Sequence, residues 1–246
     1  MAEPRAALIT GGSSGIGLSI ARTLGEEGYQ LTVSARRPDK LEEAARGLAD
    51  DGIEVQAVPA NVTSEDDLKA LIAAHRDRFG RLDVLINNAG IGIGAPIAEA
   101  ETKKLDIQFD VNLRGVYLML REAVPMLKEA GAEHGKALVV NTASIAAKYP
   151  AAWLSAYSAT KAAVVALSVA AQAELMDDGI TVTAFCPAFV DTPMTEWVRG
   201  QVPPEDMIRP EDIAEAVRFL LNTSTACLIP EIQFMRRGDR GLGSQP

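Results

Sequence analysis

Tyr157 and Lys161 stand four residues apart in the run Tyr157-Ser158-Ala159-Thr160-Lys161, a spacing that brings both side chains to one face of a helix. A phenol titrates at about pH 10, too high for easy proton exchange at neutral pH. A neighbouring ammonium favours the phenolate and lowers that value, so the pair can give a proton to a carbonyl oxygen or take one from an alcohol. Ser144 precedes Tyr157 by thirteen residues and offers a hydroxyl able to hold the reacting oxygen and stabilise charge developing there. A bare Tyr-xxx-Lys pair is usually a feature of a wet helix face. The partners elsewhere in the chain decide what this one means.

A second chemistry lies near the N-terminus. Thr10-Gly11-Gly12-Ser13-Ser14-Gly15-Ile16-Gly17 follows the apolar run Ala6–Thr10 and opens into a helical pattern. Glycines permit the tight turn and let backbone approach a pyrophosphate, whose charge sits at a helix N-terminus. Ser13 and Ser14 add hydroxyl donors. The spacing is TGxxxGxG, not the commoner GxGxxG, but the physics is shared. At the end of the second apolar run the chain reads Val33-Ser34-Ala35-Arg36-Arg37. A carboxylate in that region accepts from the ribose 2′-OH of NAD, whereas an arginine meets the 2′-phosphate of NADP. Arg36, with Arg37 in support, therefore points to NADP(H) over NAD(H). Charge-assisted bonds of roughly 1.5–3 kcal/mol each give about a ten- to hundredfold preference.

These groups need a frame that holds them together. Short apolar runs recur at residues 6–10, 31–35, 54–58, 84–87, 137–142 and 181–185. Most are continuous and not alternating, the pattern of parallel strands covered on both faces. Helical segments separate them at 16–27, 39–50, 65–79, 102–130, 156–177 and 211–221, and residues 229–234 offer a seventh strand. Strand–helix alternation of this kind predicts a single-domain α/β fold, a doubly wound parallel sheet of Rossmann type with six to seven strands and helices on both faces. Ligands then bind beyond the carboxyl ends of the strands. Pro125 is expected to kink the long fourth helix. The domain is expected to span 1–235, with 236–246 a polar, glycine-rich tail.

Taken in order, the motifs make the chain resemble a short-chain dehydrogenase/reductase from about Ala6 to Leu221, in its NADP-preferring branch. They are the glycine turn, Asn87-Asn88-Ala89-Gly90 after the fourth strand, Asn112 in the long helix, Ser144 after the fifth strand, the Tyr157–Lys161 pair, and Pro187-Ala188-Phe189-Val190-Asp191-Thr192 after the sixth. The resemblance implies a catalytic tetrad of Asn112, Ser144, Tyr157 and Lys161. In it Lys161 also bonds the nicotinamide ribose, and Asn112 holds a water in a proton relay. It implies cofactor contacts from Gly11, Ser13, Ser14, Gly15, Ile16 and Gly17, from Arg36 and Arg37, from Asn61 and Val62 at the adenine, and from Asn88, Ala89 and Gly90 along the adenosine ribose. Pro187, Val190 and Thr192 are implied at the carboxamide. Three departures stand out. Ala188 replaces a usual glycine, Asn61 replaces a usual Asp, and no Asp-Gly-Gly follows Ile232.

Candidate pocket walls are Ile91 and Ile93, then Ile145, Ala146 and Trp153, then Phe189, Met194 and Trp197, with Lys148 and Glu196 as charged exceptions. They suit an apolar or aromatic ketone, aldehyde or secondary alcohol, though each also suits a core. The expected activity is an NADP(H)-dependent oxidoreductase moving a hydride between nicotinamide and a carbonyl or secondary alcohol. Alternatives are a 3-oxoacyl-[acyl-carrier-protein] reductase and a cofactor-sensing protein without turnover. The net charge of −9 over 246 residues and the pI near 4.9 argue against nucleic acid or anionic membrane as partner. No apolar run was expected to reach the ~20 residues that span a bilayer. Two cysteines suit a reducing, cytoplasmic setting. No metal is expected, since His75 and His134 read as isolated surface residues. Ala159, Ala162, Ala163, Ala166 and Ala170 line the Tyr157 helix, a face too apolar to stay wet. With the family's four-helix interface, that implies a homotetramer or homodimer.

Overall fold

In a computed structural model of the protein, which describes residues 4–238, seven parallel strands form one sheet in the order β3-β2-β1-β4-β5-β6-β7. The strands are β1 (Ala6–Thr10), β2 (Gln30–Ser34), β3 (Val55–Ala57), β4 (Val84–Asn87), β5 (Ala137–Thr142), β6 (Ile180–Pro187) and β7 (Glu231–Phe234). The central strands are buried along their whole length, as expected of β-branched and aliphatic runs covered on both faces. β3 stays half-exposed at the edge.

The helices divide between two cores. On one face, α1 (Gly15–Glu26), α2 (Pro38–Asp50) and α7 (Pro210–Asn222) bury Ile20, Leu24, Leu41, Leu48, Ile213 and Val217 against β1, β2, β4 and β5. On the other, α3 (Glu65–Phe79), α5 (Gly115–His134) and α6 (Ser155–Leu175) bury Leu68, Leu71, Met119, Leu127 and Leu175. Strand order reverses between β1 and β4, so their carboxyl ends open a crevice where connections leave in opposite directions.

Several expectations are corrected. The long fourth helix is not uniform: α4 (Thr102–Phe109) passes through a π-helical turn at Asp110–Arg114 into α5. Pro125 lies inside α5, and a separate irregularity, the π turn, precedes that helix. His75 is fully buried, with Nδ1 2.6 Å from the Thr32 hydroxyl and Nε2 2.8 Å from the Arg81 carbonyl. Burial pushes its pKa down to about 4, so it is a neutral core residue. Residues 155–178 are long and apolar enough to cross a membrane, with mean hydropathy 1.2. They nevertheless pack against β6 and bury Ser158, Lys161, Ser168 and Gln172. At the start of the expected tail, Arg236 lies 6.0 Å from the centroid of the Phe189 ring. Positions 239–246 of that tail fall outside the described residues.

The amino ends of the central strands are fastened by one carboxylate. Asp83, 3% exposed, accepts the Ala6 N–H at 2.8 Å and takes two bonds from the Arg81 guanidinium, Nε at 2.8 Å and Nη2 at 2.7 Å. Removing Asp83 leaves the nearly buried Arg81 only the exposed Glu133 as a carboxylate partner among the described residues, and leaves the Ala6 N–H without its acceptor. Asp83→Ala is therefore expected to lower unfolding free energy by about 3–5 kcal/mol, read from urea denaturation. A loss below about 1 kcal/mol, the range of exposed pairs, would show that the latch is dispensable.

Candidate active site

Polar groups reach the crevice from several of the elements at the carboxyl edge. Ser144 closes β5 and starts a short 3-10 turn, Ile145–Ala147, whose Ala146 N–H its Oγ accepts at 3.2 Å. Tyr157 lies in the first turn of α6, where the Ser144 hydroxyl acts to lower its pKa. Lys161, one turn on and 4% exposed, donates to the Thr142 carbonyl at 2.8 Å, with its Nζ 5.8 Å from the Tyr157 ring centroid. Asn112 sits in the π turn and is fully buried. A Cβ added to Gly90 would lie 3.3 Å from Lys161 Nζ and 3.4 Å from Asn112 Oδ1, so both groups flank the same glycine. The fold thus gathers all four sequence-predicted reacting residues.

Two electrostatic details differ from the sequence expectation. The Tyr157 pKa is raised, because burial of the phenolate outweighs the Ser144 hydrogen bond that lowers it. The Lys161 ammonium is engaged by the Thr142 carbonyl, and burial lowers its own pKa to about 8. Asn112 differs in its contacts as well. Its Oδ1 accepts the Ile91 N–H at 2.8 Å, and its Nδ2 donates to the Ile91 carbonyl at 2.8 Å and to Thr160 Oγ1 at 3.2 Å. The observed work of Asn112 is to grip the loop after β4.

The glycine turn fits a dinucleotide. A Cβ on Gly17 would meet the Gly11 carbonyl oxygen and Asn88 Nδ2, and one on Gly11 would meet Asn88 Nδ2 and Ala89. Gly15, at φ +53, would drive a Cβ into Thr192, so the turn, Asn88, Ala89 and Thr192 share one tight wall. Ser14 is the N-cap of α1 yet makes no side-chain cap bond, and no acidic residue occupies the first turn. That leaves the N–H groups of Gly15, Ile16 and Gly17 for an anion. Ser13 stands beside them in the same turn. At the end of β2, Arg36 and Arg37 are exposed.

Asn61 and Val62 lie beyond β3. The Asn61 side-chain oxygen already accepts the Thr63 N–H at 3.2 Å, and the Val62 carbonyl closes against Gly115 at the start of α5. On the nicotinamide side, the Pro187 carbonyl lies 3.5 Å from the Ser144 hydroxyl. The Val190 carbonyl is taken by the Thr195 hydroxyl at 2.6 Å, and Thr192 caps the turn Pro193–Val198. Ala188 needs no left-handed conformation, and its N–H continues the β6–β7 ladder to the Phe234 carbonyl at 2.9 Å.

Aromatic rings cross the mouth of the crevice. Trp153 and Trp197, 45% and 57% exposed, lie 5.4 Å apart, and Trp197 meets Phe189 edge-on at 6.1 Å. Trp153 is the one non-glycine residue with positive φ among the described residues, at +71. Ile145 follows Ser144 directly, and Met194 is half-exposed beside these rings in sequence. Lys148, read as a charged wall, is paired with Glu231 at 2.9 Å.

Residues 5–202 match the short chain dehydrogenase family. The chain belongs to that family. A Streptomyces coelicolor protein provisionally named a ketoacyl reductase is 36% identical over 247 residues, covering 92% of this chain and 93% of its own. A variant of actinorhodin polyketide ketoreductase solved with NADPH superposes at TM-score 0.85 and 34% identity, covering 94% of this chain and 95% of that one. A Brucella melitensis 3-ketoacyl-(acyl-carrier-protein) reductase with NADH does so at 0.85 and 33%, covering 94% and 96%. This short-chain dehydrogenase is an oxidoreductase of CH–OH and C=O groups.

Sequence reasoning missed three parts of the dehydrogenase site. Thr142 supplies the acceptor for Lys161, and Thr160 links Asn112 to the Tyr157 carbonyl through its hydroxyl. Gln108, one turn before Asn112, holds the same loop through Ile93. The pKa shift gives a direct test. In the cofactor-free protein, NMR of ε-labelled lysines is expected to show Lys161, identified by its loss in Lys161→Met, giving up its proton at about pH 8. A midpoint at the ordinary lysine value of about 10.4 would mean the ammonium is solvated.

Proposed function

We propose that the protein is an NADP(H)-dependent carbonyl reductase, reversible as a secondary-alcohol dehydrogenase, with Tyr157 as its proton donor and acceptor. The observation that carries this reading is the buried Lys161, which donates to the Thr142 carbonyl with its Nζ 5.8 Å from the Tyr157 ring centroid, in a site where the Ser144 hydroxyl acts on the Tyr157 phenol. A carbonyl oxygen placed between the two hydroxyls receives the phenol proton from Tyr157 while Ser144 stabilises its growing charge. The bound nicotinamide supplies the hydride in reduction and accepts it in oxidation. A raised phenol pKa keeps Tyr157 protonated through the neutral range, which suits reduction. Oxidation needs the phenolate, so its rate should climb with pH in the alkaline range while reduction does not.

Supporting NADP(H) over NAD(H), the Arg36 and Arg37 side chains engage no carboxylate among the described residues and stand at the end of β2. Solved relatives hold either NADPH or NADH, so the choice rests on these arginines. Gly11 to Gly17 would cradle the pyrophosphate, Asn61 and Val62 the adenine, Asn88 to Gly90 the ribose, and Lys161 the nicotinamide ribose. Pro187, Thr192 and the Val190 N–H would meet the carboxamide. We place the protein in the cytoplasm as a homotetramer or homodimer. Ala159, Ala162, Ala166 and Ala170 of α6 are exposed, as are Phe109 and Tyr117 of the neighbouring helices.

The substrate is proposed to be a small apolar ketone. A 3-oxoacyl group on a carrier protein is the second reading, favoured by the ketoacyl reductases among the relatives. Against it, three cations of the helices after β4 are already paired: Arg114 and Arg121 with Glu65, and Lys104 with Glu101. Faster reduction of a carrier-bound 3-oxoacyl thioester than of any free ketone would select the second reading.

Tyr157→Phe is expected to lower ketone turnover by about a thousandfold or more while NADPH affinity changes within a few-fold. Turnover surviving in that variant would overturn the assigned mechanism. Arg36→Ala is expected to weaken NADPH binding about tenfold or more and leave NADH nearly unchanged, read from nicotinamide fluorescence. Equal losses for the two cofactors would remove Arg36 as the phosphate reader.

A further inference from the structure

Gln108 takes no part in the chemistry above, yet it is a polar side chain only 2% exposed, near the end of α4. Its Oε1 accepts the Ile93 N–H at 3.0 Å, and its Nε2 donates to the Lys104 carbonyl at 3.2 Å. Four residues on, Asn112 holds both backbone groups of Ile91. Two buried amides from one helix therefore grip alternate residues of a single loop.

That loop carries the packing surface of the site. A Cβ on Gly92 would lie 3.6 Å from Tyr157 Cε2, and one on Gly94 would collide with the Trp153 indole. Ala95 N–H donates to the Trp153 carbonyl at 2.8 Å. A tryptophan at φ +71 persists only where its surroundings over-determine it, and the 91–95 backbone is one side of those surroundings. With glycines at 92 and 94 the segment has little stiffness of its own, so its position is imposed from outside. Asn112 imposes it near Tyr157. Gln108 imposes it beneath Trp153.

We propose that Gln108 is a positioning residue for this enzyme, fixing residues 91–95 through the Ile93 N–H and thereby the seating of Tyr157 and Trp153 on the substrate side. Its catalytic consequence rests on the reductase reading of Tyr157. The competing possibility is that Gln108 serves only the helix, through the Lys104 carbonyl. Gln108→Leu removes both bonds. Gln108→Glu keeps an oxygen for the Ile93 N–H, and Gln108→Met replaces the Leu variant if that one fails to fold.

The measurements are NADPH-dependent reduction of 1-tetralone and a panel of alkyl ketones, NADPH affinity by fluorescence, and amide exchange at Ile91 and Ile93 by NMR. Gln108→Leu is expected to lose about tenfold or more in kcat/KM for ketones, because small misplacements of reacting groups are costly. NADPH affinity should stay within about threefold, separating substrate-side geometry from cofactor binding. Ile93 should exchange about a hundredfold faster while Ile91 stays protected. Gln108→Glu should restore both turnover and Ile93 protection. Wild-type kcat/KM in Gln108→Leu, a parallel loss of NADPH affinity, or a Glu variant as damaged as the Leu variant would each overturn the proposal. A wild-type protein that binds NADPH but reduces no ketone overturns the reductase reading instead. The loop clamp then stands or falls on Ile93 exchange alone.

Discussion

A lysine ammonium held in the interior is the constraint around which this site is arranged. Burial favours the neutral amine, and Lys161 answers with one short bond to the Thr142 carbonyl. That carbonyl is available because β5 ends there and its chain turns away into the Ser144 turn. The same buried position brings Nζ close to Gly90, where any side chain would crowd both the amine and Asn112. The Tyr157 ring centroid lies 5.8 Å from that Nζ, and the Ser144 hydroxyl partly offsets the cost of a buried phenolate. Moving Lys161 would therefore displace the end of β5, the loop after β4 and the start of α6 together.

The loop after β4 shows how such a centre is held without rigid elements of its own. It is rich in glycine and offers few side chains to pack, so its order comes from amides reaching in from α4 and the π turn. A π turn inserts a residue into the helix and is often found at functional sites. Here it lies where Asn112 must face the loop while α5 continues along the sheet. Hydrogen bonds then run from Ile91 through Asn112 and Thr160 to the Tyr157 carbonyl, coupling the loop after β4 to the helix that carries Tyr157.

Much of this was legible in the residues. The bounds of β1, β4, β5 and α3 follow directly from their apolar runs and from caps such as Ser64, which accepts the Asp67 N–H, and the left-handed Gly80. Ser144, Tyr157 and Lys161 were legible from the chemistry of their residue types, whereas Asn112 came only from the family resemblance. His75 was misread, although Leu68, Leu71, Ile72 and His75 fall on one helical face and the period placed it inside. Gln108 was harder to see because α4 inverts the usual pattern. Gln108 and Asn112 face inward there, while Leu105 and Phe109 are each 38% exposed. A period-based reading assigns the apolar residues to the core and the amides to water, the reverse of what the loop requires. The π turn left no mark either, since a single inserted residue barely disturbs the composition of a long helix.

Charge distribution, more than charge total, reconciles this chain with an anionic cofactor. At −9 the protein as a whole repels a dinucleotide phosphate, but at physiological salt exposed charges are largely screened beyond about 8 Å. What a bound phosphate feels is local: the uncapped start of α1 and the guanidiniums beyond β2. Under the proposed NADP(H) preference, the additional phosphate would find its compensation at Arg36 and Arg37, whose side chains engage no carboxylate among the described residues.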